Sequence, residues 1–354
     1  MAKIDAFLHL MNQCGASDLH LKAATRPRVR IHGRLVDIEG APTPGREELE
    51  QWMVGILSLE QQQTYFQSSE MDFAYHHPQL GRYRCNYFRD MMGPAAAIRR
   101  IQSSVPSLEE LELPPVYETF VHLISGLVLV AGATGSGKST TLAALIDAIN
   151  HLYTRHIISL EDPVEYLHES RLSLIHQRAL RTDFPTFADG IRAALRQDPN
   201  ILLIGEMRDV ESIRMALTAA ETGLLVFATV HTNDAPAAID RIIDVFQSEE
   251  QPQVRSMLST SLAAVACQTL LKRADKEGLV PATEVLMITG AASNVIREGK
   301  SQDLQNLMQT SKAAGMHPLD DSLERLLMER KISGDEAFDH AVNKGRFARL
   351  RDGA

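Results

Sequence analysis

The octet GATGSGKS, residues 132–139, constrains this chain more than any other stretch. It fits G-x-x-x-x-G-K-[ST], with the apolar run LVLVA directly before it and a helical pattern after it. A strand that runs into a Gly-rich loop and then a helix makes a phosphate cradle. Glycines let the backbone close round the anion, and the helix N-terminus points free N–H groups at it. Gly132, Ala133, Thr134, Gly135, Ser136 and Gly137 are therefore expected to wrap a triphosphate, with Thr140 completing the set. Lys138 would reach the β- and γ-phosphates, and the Ser139 hydroxyl would ligate Mg²⁺. ATP and Mg²⁺ are the expected cofactors. A motor, a switch and a metabolic kinase all remain compatible with the octet.

Hydrolysis needs carboxylates at the same edge of the sheet, outside the carboxyl ends of the strands. Two apolar runs deliver them: HIISLEDP ends in Glu161 and Asp162, and ILLIGEMRD ends in Glu206 with Asp209 three residues on. Gly205 stands where a strand-end Asp commonly assists Mg²⁺, so Glu206 is expected to orient water or act through the metal's shell, with Glu161 sharing the role. Asp209 reads equally well as a helix cap. A further run, LLVFATVH, ends in Thr229 and His231, and a histidine there can hydrogen-bond a γ-phosphate. His20, His122 and His168 have no evident partner and read as structural. Arginines that neutralise transition-state charge have six candidates: Arg82, Arg84 and Arg99 upstream of the octet, and Arg192, Arg196 and Arg208 after it.

The pattern divides the 354 residues in two. Residues 1–105 read as a small α+β domain: an amphipathic first helix, the strand DLHLKA, a hairpin turning at His32–Gly33, a helix near 46–58 and two strands in GRYRCNYFRDMMGPAAAIRRI. Residues 106–125, with Pro106, Pro114 and Pro115, read as a linker. In 126–290 short apolar runs alternate with helices, the βαβ signature of a mostly parallel sheet, and 291–354 reads as helical.

Composition narrows the partners. A formal net charge of −9 gives no basis for non-specific nucleic-acid binding. Cys14, Cys85 and Cys267 show no CxxC spacing, which speaks against a zinc site and fits reduced thiols. No run is long enough to span a bilayer, so a cytoplasmic chain is expected.

Four boxes, GATGSGKSTTLAALIDAIN, SLEDPVEYLH, LRQDPNILLIGEMRD and TGLLVFATVHTNDA, closely resemble the Walker A, Asp, Walker B and His boxes of secretion ATPases. Within that superfamily the chain most resembles the type IV pilus retraction ATPases, the PilT-type twitching-motility proteins. GASDLHL, GRYRCNYF, QTLL and NVIREGK extend the likeness over nearly the whole chain. The resemblance implies a PAS-like N-terminal domain, a RecA-like ATPase core and a ring-shaped homohexamer, with nucleotide between the two domains. It implies Glu206 as the catalytic carboxylate, and Glu161 as an aid to Mg²⁺ and water. His231 would sense phosphate, and Arg84 and Arg99 would be donated to the nucleotide, with Arg82 beside them. Ser139, Glu161 and Glu206 would share the metal, partly through water. The implied work is extraction of pilin at the base of the fibre, beside an inner-membrane platform protein, with the motor held peripherally at the membrane and a paralogous pilus ATPase as a further partner.

Two departures stand out. AASNVIREGK carries Ala292 and Ser293 where the family has bulkier apolar and basic residues, and Ala133 replaces a common proline. Three other readings follow: an auxiliary retraction ATPase, a pilus-assembly or type II secretion ATPase, and a nucleotide-gated ring scaffold that barely hydrolyses. The second usually carries a tetracysteine module, which is missing here.

Overall fold

The computed structural model describes residues 3–31, 33–101 and 104–351. The chain forms two compact units, Met1–Ser104 and Val105–Ala354.

The first unit comprises α1 (Lys3–Gln13), β1 (Asp18–Lys22), β2 (Arg28–Ile31), β3 (Arg34–Asp37), α2 (Arg46–Val54), α3 (Leu59–Ser68), β4 (Met71–His77), β5 (Gly81–Asp90) and β6 (Gly93–Ile101). Its six strands run in the order β3-β2-β1-β6-β5-β4, every neighbouring pair antiparallel. Strand β5 shows why: Tyr83, Cys85 and Tyr87 alternate into the core while Arg82, Arg84 and Asn86 take the other face. Val29 opposite Val36 and Ile31 opposite Arg34 make the expected hairpin, although His32 in its turn lies outside the described residues. Helix α3 and strand β4 were not expected from the pattern. The start of α3 did carry a local signal, since Ser58 and Gln61 form a capping box.

The second unit begins with α4 (Val116–Val121), which lies inside the stretch read as a linker. Pro115 sits at its N-cap, where a missing N–H costs nothing, so proline starts a helix here instead of ending one. Tyr117 and Phe120 of α4 are fully buried with Val128, Leu145 and Ile149.

The core follows as β7 (Gly126–Ala131), α5 (Lys138–Leu152), β8 (His156–Glu161), β9 (Leu174–Ala179), α6 (Phe187–Ala194), β10 (Ile201–Ile204), α7 (Val210–Glu221), β11 (Leu225–Val230), α8 (Ala235–Asp244), α9 (Gln251–Ser261), β12 (Leu262–Lys272) and β13 (Leu279–Met287). The sheet order is β13-β12-β7-β11-β10-β8-β9, parallel throughout except for the β12–β13 pair. Strands β10 and β11 are wholly buried, as continuous apolar runs require when helices cover both faces. The sequence pattern did not resolve β9, β12 or β13. Helices α10 (Gly290–Arg297), α11 (Leu304–Thr310), α12 (Leu319–Met328), α13 (Gly334–His340) and α14 (Lys344–Phe347) complete the chain. Among the described residues no helix is long and apolar enough to cross a membrane.

In the altered segment, Ala292 is fully buried in the main core and the Ser293 hydroxyl donates to the Ser259 carbonyl. The two small residues therefore have packing of their own in this chain.

Candidate nucleotide site

The octet bridges the end of β7 and the start of α5, so its N–H groups converge at a helix N-terminus. Gly132 is required here. Its φ is +147°, and a Cβ would collide with the Gln268 carbonyl and the Ser136 hydroxyl. Lys138 is 8% exposed, and its Nζ donates to the carbonyls of Gly132 and Ala133, 2.8 Å each. Burial pushes its pKa below the usual lysine value, while Glu165 and Glu206 pull the other way. Ser136 Oγ is buried with no hydrogen-bond partner among the described residues. A buried ammonium, an orphaned hydroxyl and a ring of helix-start amides suit a phosphate chain.

Gln268, on β12, was not foreseen. Its Nε2 donates to the Ser136 carbonyl at 2.6 Å and its Oε1 accepts from Thr141 Oγ1 at 2.9 Å. One buried amide thus braces both the loop and the helix it feeds. A polar side chain inside the apolar run AVACQTLL was the available signal. Beside this brace opens a cavity of ≈ 210 Å³, lined by Gly137, Thr140, Leu111, Leu113 and Leu270 among others. Glu110, Glu112, Thr141, Gln268 and Arg273 also line it, so the cavity beside the phosphate loop is mixed in character, part apolar and part charged.

The carboxylates stand at neighbouring strand ends. Glu161 ends β8, and β10, its hydrogen-bonded neighbour, runs into Gly205 and Glu206. The glycine at 205 has a geometric cause: a Cβ there would press on Glu161 Cα and the Leu160 carbonyl at 3.2 Å, while its N–H donates to Leu160 at 2.7 Å. Glu161 is held by neutral donors, Ser159 Oγ at 2.7 Å and Gln177 Nε2 at 3.4 Å. Burial raises its pKa above the usual carboxylate value, opposed by those hydrogen bonds. Gln177 also donates to the Tyr166 carbonyl at 2.7 Å and accepts from the His168 N–H at 2.8 Å, so it fixes the loop after β8. Tyr166 in turn reaches Thr140 of α5, with 3.0 Å between hydroxyls. Ser159 could have been found from sequence, because it lies two residues before Glu161 and so on the same face of the strand.

Glu206 is handled differently. Arg208 Nη2 lies 2.7 Å from its carboxylate and His231 Nε2 at 3.7 Å. Burial, Lys138 and Arg208 push the His231 pKa below the usual histidine value, opposed by Glu206. Ser139, Glu161, Gly205 and Thr229 line one small cavity of ≈ 30 Å³. The structure therefore brings Lys138, Ser139, Glu161, Glu206 and His231 to one edge of the sheet.

Asp209 is a cap: it accepts from the Ser212 N–H at 2.8 Å and starts α7. Arg192 is spent on Asp189 and Glu211. His122 does have a partner, the Tyr153 hydroxyl at 2.7 Å, whereas His168 Nδ1 is buried with no hydrogen-bond partner among the described residues and stands 3.8 Å from Asp147. Within the first unit, Arg84 of β5 lies opposite Arg99 of β6. Asp18 accepts from Arg99 at 2.8 Å and Asp72 is 3.8 Å from Arg84, which offsets the like-charge pairing.

Among the described residues no group of three or more His, Cys, Asp or Glu could cage a metal. A hydroxyl and two carboxylates at the mouth of a phosphate loop fit Mg²⁺, which keeps much of its water and shares its shell with substrate phosphates.

A mostly parallel sheet with a phosphate loop at the end of an inner strand and acids at the ends of two neighbouring strands defines a P-loop ATPase. The model of the type II/IV secretion system protein family matches residues 69–332, and the chain belongs to that family. It is 44% identical to the twitching motility protein of Neisseria gonorrhoeae, over 90% of this chain and 84% of that one. It is 43% identical to the type IV pilus retraction ATPase PilT of Pseudomonas aeruginosa, over 92% and 94% of the two chains. A crystal structure of the pilus retraction motor PilT with bound ADP superposes with a TM-score of 0.91 at 36% identity, covering 99% of this chain and all of the other.

Proposed function

We propose that this protein is the ATP-hydrolysing motor of type IV pilus retraction, converting ATP to ADP and phosphate. The observation that carries the reading is the match, along nearly the whole chain, to a retraction motor that binds ADP, with Lys138, Glu161 and Glu206 in place at the sheet edge.

In this reading the loop's N–H groups and Lys138 bind the triphosphate, and Ser139 with Glu161 and Glu206 hold Mg²⁺, partly through water. Held there, the ion would supply positive charge that offsets the charge of the phosphates. Glu206 orients the attacking water, and Arg208, 2.7 Å away, aims its carboxylate. His231 donates a hydrogen bond to the terminal phosphate. Arg84 and Arg99 supply positive charge to the nucleotide from the small domain, with the chain working as a homohexamer at an inner-membrane platform protein, and a paralogous pilus ATPase as a further partner.

Deletion with complementation tests this. Excess surface pili without twitching, restored by the wild-type chain and not by Lys138→Ala, is the expected outcome. Loss of pili on deletion would instead indicate assembly.

A further inference from the structure

One buried carboxylate takes no part in the mechanism above. Glu284, on β13, is 2% exposed, and among the described residues no cation pairs with it. Its oxygens accept instead from two helix starts: the Ala235 N–H of α8 at 2.8 Å and the Leu319 N–H of α12 at 3.4 Å. Two helix N-termini facing one carboxylate replace the missing cation with their partial positive charges.

The two helices serve different parts of the molecule. Helix α8 begins four residues after His231, and the intervening Asn233 and Asp234 line a cavity of ≈ 310 Å³ together with Ala133 of the octet and Glu284 itself. Helix α12 has Pro318 at its N-cap, with no side-chain cap of its own, so Glu284 supplies that bond from another strand. Asp320, next in α12, accepts from the N–H groups of Val342 and Asn343, which ties α12 to the last helices.

We propose that Glu284 is a positioning residue that fixes the His231 loop through the start of α8 and passes its displacement to the C-terminal helices through the start of α12. The proposal rests on the ATPase reading. A shift of the His231–Asp234 loop on phosphate binding moves the Ala235 N–H, and the same carboxylate then drags or releases α12.

Glu284→Gln keeps the shape, but turns an NH₂ group toward one of the two N–H groups it must serve. In the full-length protein the expected result is a fall in kcat of about tenfold with KM changed less than about twofold. Amide hydrogen exchange in 319–328 should also stop responding to a non-hydrolysable ATP analogue, while the response near 132–139 persists. Wild-type kcat, or an unchanged response in 319–328, overturns the proposal, even if thermal stability falls. Should Glu284→Gln not fold, Glu284→Asp decides, because the shorter carboxylate cannot keep both the Ala235 and Leu319 N–H bonds: a damped response in 319–328 supports the coupling and an intact one overturns it. Lack of turnover by the wild type would defeat the motor reading alone, since the exchange response to bound analogue still reads the coupling.

Discussion

The two halves of the site are built by different means. At the end of β7 the backbone does the gripping: glycines, helix-start N–H groups and one lysine, with little choice of side chain elsewhere. At the ends of β8 and β10 side chains do it, and the two carboxylates differ in turn. Glu161 is half-buried among the neutral donors Ser159 and Gln177, whereas Glu206 faces a guanidinium and an imidazole. Backbone cradles are specified by local sequence, while side-chain constellations depend on which strands the fold makes neighbours. That difference separates binding from chemistry.

The sharpest way to break the contrast is to remove Lys138. Lys138→Ala should lower kcat/KM roughly a thousandfold, about 4 kcal/mol, by phosphate-release assay, with nucleotide binding also weakened. If binding is untouched, the loop is not the grip. Next comes Glu206→Gln, expected to cut kcat about a hundredfold while fluorescent-nucleotide affinity stays near wild type. Equal losses in both would place Glu206 with the cradle and collapse the distinction. Gln177→Leu should cost about tenfold in kcat, ~1.4 kcal/mol, and raise the Mg²⁺ concentration for half-maximal activity, because Glu161 then loses one of its side-chain donors.

The smallest effect concerns a third kind of carboxylate. Glu112 sits among Lys331 and Arg273, which hold its pKa down at about 2. A lowered acid adds stability above its ordinary pKa, near 4.5, and loses it as pH falls toward 2. Glu112→Gln should therefore lower Tm slightly at pH 7, and the gap to wild type should close between pH 4.5 and 2. A gap that widens on acidification would show that the cluster holds shape without charge.

How much of this was legible follows the same division. The octet, the strands ending in Glu161, Glu206 and His231, and the helix after the loop could all be read from contiguous residues. So could the resemblance to the retraction ATPases. Gln177 and Gln268 could not be placed, because their partners lie 16 and 132 residues away and only strand order brings them close. Strand β9 hid as well: as an edge strand it is half exposed and lacks the apolar run that marks its neighbours. The stretch read as a linker failed for a different reason, since proline breaks a helix interior but is welcome at its first turn.

The bonds from Lys138 to the carbonyls of Gly132 and Ala133 bear on how the cradle is held as well as on binding. The lysine is never left to water: the loop carries its own stand-in for a phosphate oxygen. The ammonium that faces the phosphates is thus paired by the same backbone that shapes the cradle, so one short loop supplies both the charge and its support.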